Sequence, residues 1–391
     1  MNYILFDGTV RNALLPFTFT RPVAEIRVGI FTIREKWENY LKSTTTTITE
    51  EYLSVKYPMV EMEENVMINA SFLPNQELID LVIDLKENQA IFYGEDVIAF
   101  FSTETQDEID FDKYEAIEFQ GEVLQIAHTW DIFSKNEAAL KADFDFITEG
   151  RKSQPISKTN TVINAENIFL EKGAKVECSI LNASSGPIYI GADSEVMEGC
   201  MIRGAFALCD HAMVKMGAKI YGATTIGPQC RVGGEVNNSI LFGYSNKGHD
   251  GFLGNSVLGE WCNLGADTNN SNLKNNYDEV KLWSYETENF AKTGLQFCGL
   301  MMGDHSKSAI NTMFNTGTIV GVSANIFSSG FPRNFVPSYS WGGANGFTTY
   351  LTKKAFETAK IMMSRRGIEF DEIEEAILTH VFEETKKWRN Y

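Results

Sequence analysis

Residues 190–232 read IGADSEVMEGCMIRGAFALCDHAMVKMGAKIYGATTIGPQCRV. Ile190, Val196, Ile202, Leu208, Val214, Ile220, Ile226 and Val232 put an aliphatic side chain at every sixth position, eight in one phase. A helix repeats at about 3.6 residues and a strand alternates at about 2, so neither generates this period. A triangular solenoid does, because each short strand sends one aliphatic side chain inward and then turns a corner. Gly191, Gly227 and Gly233 follow three of these positions, where corners belong.

The phase slips after Val232, resumes at Phe252, Leu258 and Leu264, and returns at Met302, Ser308, Phe314, Val320 and Ile326. The intervals 236–250 and 269–294 are therefore predicted to be loops leaving the solenoid, a common place for function. Upstream, residues 1–155 read as a compact α/β head. Tyr3–Phe6, Ala90–Tyr93 and Val97–Phe101 have strand character, Ala24–Leu41 is helical, and Thr44–Thr47 is a loop or edge strand. The solenoid spans 156–350, and residues 351–391 form a helical tail. In the tail Gly367 ends one helix, and Asp371 with Glu374 opens the next as a capping box. Ile373, Ile377 and Val381 share one face of that helix, and covering the solenoid's open end is the plain role for the tail.

A net charge of −18 over 391 residues, with no basic stripe, argues against nucleic acid as a partner. Met1–Val10 has no signal-peptide pattern, and no apolar run reaches the ~18 residues of a membrane span, so a cytoplasmic location without membrane contact is expected. Cys178, Cys200, Cys209, Cys230, Cys262 and Cys298 form no CxxC and no zinc spacing with histidine. They read as small buried hydrophobes of a reduced protein, with no metal site.

The stretches Glu235–Ile240 and Lys247–Thr268 contain Gly248-His249, Gly254-Asn255, Leu258-Gly259 and Asn263-Leu264-Gly265-Ala266. They resemble the acetyltransferase half of the bifunctional sugar-1-phosphate nucleotidylyltransferase/acetyltransferase family that makes UDP-N-acetylglucosamine. Gly303-Asp304-His305-Ser306-Lys307-Ser308-Ala309-Ile310-Asn311 is similar to the archaeal variants of those enzymes. The likeness runs from Ile190 to about Val336. It implies a left-handed parallel β-helix, a homotrimer, and an active site between subunits.

Acetyl transfer from acetyl-CoA to an amine needs a base for the proton and donors for the developing oxyanion. Of the five histidines, His249 sits in a Gly-flanked segment and falls on the family's catalytic histidine. His305 reads instead as a turn residue and His211 as structural. By the same resemblance Asn263 and Asn272 hold the sugar-phosphate acceptor, although Asn also fills solenoid corners at positive φ. Ala266 matches a residue lining the CoA groove. Lys274 and Lys281 would neutralise a sugar phosphate and Arg333 would face the CoA phosphates, and each reads equally as an ordinary surface charge. The chain departs from the family at Phe252, where a Tyr is expected, at Asn237 for a phosphate-binding Lys, and at Asp267 for a Gly. The acceptor implied is an amino-sugar phosphate that need not be glucosamine 1-phosphate.

The head resembles nucleotidyltransferase heads, which open with a strand, a Gly-x-Gly-Thr-Arg loop and Leu-Pro-Lys. Phe6-Asp7-Gly8-Thr9-Val10-Arg11 and Leu15-Pro16-Phe17 occupy those places. Gly8 and Thr9 would cradle nucleotide phosphates, and Arg11 and Arg21 would stand in for the missing lysine. Val66–Pro74 resembles the strand that ends on a Mg²⁺-binding aspartate, which is Ala70 here. Two readings stay open for the head: it binds a nucleotide by an altered route, or it is a scaffold. The function implied is acetyl-CoA-dependent N-acetyl transfer to an amino-sugar phosphate. The alternatives are a sugar-1-phosphate nucleotidylyltransferase using UTP or dTTP with Mg²⁺, and a non-catalytic metabolite-binding protein.

Overall fold

The computed structural model describes residues 1–103 and 109–391. The head is built on a six-stranded sheet of β1 (Asn2–Phe6), β2 (Thr45–Ile48), β3 (Asn65–Asn69), β4 (Gln89–Tyr93), β5 (Asp96–Ser102) and β6 (Glu115–Glu118), ordered β2-β1-β3-β5-β4-β6. The four-threonine run lies mostly in β2, on one edge of the sheet, where β-branched residues fit the pleat. Helices α1 (Ile33–Leu41), α2 (Glu51–Ser54), α3 (Gln76–Ile83), α4 (Asp131–Ser134) and α5 (Asn136–Thr148) accompany it. The helix expected over Ala24–Leu41 starts only at Ile33. Gly29 has φ +72°, and a Thr32/Glu35 capping box marks the true N-terminus.

The solenoid begins at Thr161–Ile163 and has three faces of short parallel strands: a first of six, a second of nine and a third of ten. The third face ends in an antiparallel pair, Ser340–Gly343 with Gly346–Thr349. All eight positions of the six-residue phase, Ile190 to Val232, are buried in one inner core. The interval 236–250 is a correction to the sequence reading. It stays inside the solenoid as strands Glu235–Asn237, Ile240–Gly243 and Asn246–Lys247. Strand pairing continues through it while the inward positions advance unevenly, through Val236, Leu241, Lys247 and Leu253. Shortened corners cause the slip in phase. Phe252 is accordingly half-exposed and Leu253 points inward. The second interval leaves the scaffold only after Asn270, since Asn269–Asn270 still pairs in parallel with Met313–Phe314, and it then carries an antiparallel hairpin, Lys281–Ser284 with Asn289–Lys292.

The head packs on the outer side of the second face, with Ile30, Leu140 and Phe144 against Phe169, Tyr189 and Ala207. Asn136 donates to the Ala223 carbonyl at 2.9 Å and Arg27 to the Phe242 carbonyl at 3.0 Å. The tail forms α6 (Thr352–Ser364) and α7 (Glu372–Glu384). Asp371 caps α7 by accepting from the Glu374 amide, while the Glu374 carboxylate pairs with Lys56 of the head. The helices lie along the flank of the last turns, and the solenoid's inner core is met at this end by Phe347 of the terminal hairpin. Tyr391 of the tail lies over this hairpin, its ring 5.9 Å from that of Phe347. Five cysteines are buried and free, whereas Cys178 is exposed. No helix among the described residues is long and apolar enough to cross a membrane.

Candidate functional site

Along the third face the pairing register stacks Arg231, Asn246, Asn263 and Lys307 on successive strands. Each lies one residue before an inward position, so all four project outward in one column. Strands stand about 4.8 Å apart, which makes the column roughly 14 Å long. The corners after these strands carry Gly233-Gly234, Gly248-His249, Gly265-Ala266 and Ala309-Ile310. The glycines keep the floor low. A Cβ on Gly265 would come within 2.5 Å of the Ala309 backbone, whereas one on Gly248 would meet nothing within 4 Å.

Helix α6 and the two arginines behind it face this column across a cavity of about 850 Å³. His249, Asn263 and Ala266 line it together with Lys215, Arg231, Lys307, Arg365 and Arg366. No carboxylate lines it among the described residues. Arg366 reaches Asn246 Oδ1 at 3.4 Å, and burial, with Arg231 and Arg365 nearby, holds its pKa below the ordinary value. Burial pushes the Lys307 amine down to about 8, and its Nζ donates to the His305 carbonyl at 2.7 Å. Tyr244 and Trp261 close one side, their rings stacked at 4.3 Å.

Behind the wall lies Lys247, a charged residue at an inward position. It is 2% exposed, and its Nζ donates to the carbonyls of Gly233 at 3.0 Å and His249 at 2.6 Å. Burial lowers its pKa to about 8 against the pull of Asp250 and Asp267. The amine thus ties the His249 corner to the turn below.

The other sequence-predicted residues lie elsewhere. Asn272 donates to Asn255 Oδ1 at 2.8 Å, next to the first face. Lys274 donates to the Glu279 carbonyl at 2.7 Å, and Lys281 begins the exposed hairpin. Arg333 is exposed in the connection before Phe335 and does not line the cavity. His305 is buried at a corner with φ +61°, and burial holds its pKa well below the usual imidazole range. His211 occupies an earlier corner at φ +56° and is exposed.

In the head, Gly8 and Thr9 border a cavity of about 440 Å³ with Asn69, Glu95 and Asp96. No Arg or Lys lines it among the described residues. Arg11 turns away, donating to the Thr18 carbonyl and to Tyr52 Oη, each at 2.8 Å. Arg21 crosses into the solenoid, where Asp304 pairs with it directly and Glu260 stands at 3.5 Å. Although burial opposes its charge, these two carboxylates push the Arg21 pKa above its ordinary value. Electrostatic substitution for a lost phosphate-loop lysine is therefore not the role their contacts show.

Sequence reasoning missed Lys215, Arg231, Lys307, Arg365 and Arg366. Arg231 and Lys307 were readable from the repeat, because each precedes an inward position as Asn263 does. The tail arginines carried no such signal.

A family model for sugar nucleotidyl transferases matches residues 3–152, under half of the chain. Among curated proteins none matches. Solved structures similar to this chain include a UDP-N-acetylglucosamine acyltransferase from Arabidopsis, 11% identical, covering 54% of this chain and 77% of its own at a TM-score of 0.32. One from Campylobacter jejuni is 11% identical, covering 59% and 97% at a TM-score of 0.28. One from Bacteroides fragilis is 13% identical, covering 59% and 91% at a TM-score of 0.16.

Proposed function

We propose that the protein is a transferase of activated-sugar metabolism, moving an acetyl group from acetyl-CoA to the amine of an amino-sugar phosphate. His249 is the general base. The observation that supports this most is the convergence of His249, Asn263 and Ala266 with five cationic side chains and, among the described residues, no lining carboxylate. Such a wall suits a ligand carrying several phosphates. The volume falls in the range of small-molecule sites.

Acetyl-CoA would supply the thioester. His249 takes the proton of the attacking amine as the carbon–nitrogen bond forms, and returns a proton to sulfur as the carbon–sulfur bond breaks. Asn263 positions the acceptor through its carboxamide, and Ala266 leaves room beside the base. Lys247 holds the His249 backbone and so aims the imidazole.

Release of free CoA thiol, measured with glucosamine 1-phosphate and other amino-sugar phosphates, tests this reading. Turnover that vanishes in a folded His249→Ala variant supports it. Absence of turnover with every acceptor removes it.

The family-model match to residues 3–152 favours a second reading, nucleotidyl transfer in the head from UTP or dTTP to a sugar 1-phosphate. Mg²⁺ is its expected partner, but no cluster of three His, Cys, Asp or Glu side chains offers to hold a metal among the described residues. Glu95 and Asp96, the carboxylates that border the head cavity, are the side chains that would hold such an ion together with the substrate phosphates. Pyrophosphate release with a hexose 1-phosphate, sensitive to Thr9→Val, is the result this reading requires.

A further inference from the structure

Two walls make the cavity, and they come from parts of the chain far apart in sequence. The third-face column supplies Arg231, Asn246, Asn263 and Lys307, while Arg365 and Arg366 follow α6. We propose that α6 and the Arg365–Arg366 pair complete a nucleoside-polyphosphate site within one chain, so that no residue of a neighbouring copy is needed. This rests on the reading that the cavity holds the phosphate-bearing partner of the transfer.

Three observations carry it. The first is charge. Arg231, Arg365 and Arg366 line one cavity together, burial with the other two arginines nearby holds the Arg366 pKa below its ordinary value, and no carboxylate among the described residues lines the cavity to offset them, in a protein of net charge −18. Like charges gathered this way are unfavourable unless an anion joins them. The column's length of roughly 14 Å spans several linked phosphates rather than one. Half-buried Tyr244, backed by Trp261, adds a ring face on which a nucleobase can stack.

The second is the anchoring of the tail on its own solenoid. Tyr339 Oη donates to the Leu378 carbonyl at 2.7 Å, Arg389 donates to the Ser338 carbonyl at 3.3 Å, and Ser340 and Tyr391 share a hydrogen bond of 2.9 Å. Ala355, Phe356, Ala359 and Met363 bury one side of α6. The third is what α6 leaves uncovered. Ile361 is 66% exposed and lines the cavity with Thr358 and with Met362, whose side chain also packs against the core. The helix is thus packed on one side and open to a ligand on the other.

Equilibrium binding of CoA and, separately, UDP to the full-length protein tests this, with the association state fixed by sedimentation. The wild type is expected to bind at least one of them, and the one bound tells whether the polyphosphate belongs to the acyl donor or to a nucleotide. Arg365→Ala with Arg366→Ala is expected to weaken that binding about tenfold per arginine lost. Ile361→Glu, which adds a carboxylate at an exposed position, should weaken it with the core untouched. Chains carrying Arg365→Ala and Arg366→Ala are then mixed with chains carrying Arg231→Ala under conditions that exchange subunits. If each site is built in one chain, mixing restores no wild-type affinity, and a monomeric protein binds as well as an associated one. Recovery of tight sites on mixing places the tail wall in the neighbouring subunit and overturns the proposal. So does failure to bind either ligand, or binding indifferent to the tail variants. Binding without turnover would remove only the acetyl-transfer reading.

Discussion

Lys247 Nζ donates a 2.6 Å hydrogen bond to the backbone carbonyl of His249, from a position that aliphatic side chains occupy elsewhere in the solenoid. A buried amine serves the core poorly and the corner well. Lys247→Met fills similar volume without the clamp. It is expected to lower the acetyl-transfer kcat about tenfold while leaving the affinity for CoA unchanged, since the cationic wall is intact. A rise in KM with unchanged kcat would show that Lys247 serves binding instead.

The same substitution has a stability signature that depends on pH. The Lys247 pKa falls from 10.5 to about 8 on folding. Between those values the unfolded chain binds the extra proton, so this group's contribution to stability rises with pH and is least favourable below about 8. The advantage of Lys247→Met over wild type, on the order of 3 kcal/mol at most, is therefore expected below pH 8 and should shrink towards pH 10. Taking the difference between the two proteins cancels the buried cysteines, whose raised pKa values act in the opposite sense above about pH 9. Denaturant midpoints across that range are the measurement.

His249→Ala should reduce transfer by roughly 10²–10⁴-fold, the usual contribution of a positioned general base. The side chain is exposed, so thermal stability should stay near wild type. Loss of activity accompanied by a collapse in melting temperature would assign His249 a structural role.

Arg21 joins the head to the solenoid through Asp304, whose carboxylate also accepts from Thr20 Oγ1 and the Glu260 amide, each at 2.8 Å. Arg21→Met leaves that carboxylate buried and uncompensated. A loss of about 3–5 kcal/mol in unfolding free energy is expected, with part recovered by adding Asp304→Asn. An additive double variant would mean the two residues do not interact energetically.

Gly248 and Gly265 occupy matching corners on neighbouring turns, yet their surroundings differ. Gly265→Ala drives a Cβ to 2.5 Å from the Ala309 backbone and should cost about 1–3 kcal/mol. Gly248→Ala meets open space and should fold normally, although its methyl enters the cavity and should weaken ligand binding. Equal destabilisation by both would contradict the described floor of the groove.

The solenoid was legible because its period is a local property. Each turn must deliver one apolar side chain inward for its neighbours to stack, so Ile190 to Val232 announce the fold without reference to any distant residue. The clustering of His249, Asn263 and Ala266 follows from that stacking, since register carries each residue to the next turn. What the sequence hid was any corner of altered length. Residues 236–250 looked like a loop because the count between inward positions changed while the strand pairing did not, and Lys247 broke the aliphatic pattern at an inward site.

Charges proved least readable, for a physical reason. A charged side chain's role depends on what faces it, and that is set by how distant segments pack. Arg11 and Arg21 sit where a phosphate loop would want cations, but Thr18, Tyr52 and Asp304 claim them in the folded chain. Arg365 and Arg366 carry no motif, and only the docking of α6 on the third face brings them to Arg231. The sequence by itself determined the solenoid, its inward residues and the stack of candidate site residues, because these follow from short-range repetition. The tertiary structure alone decided which cations meet in the cavity and which are locked in ion pairs, because charge pairing across more than a hundred residues is written only in the packing.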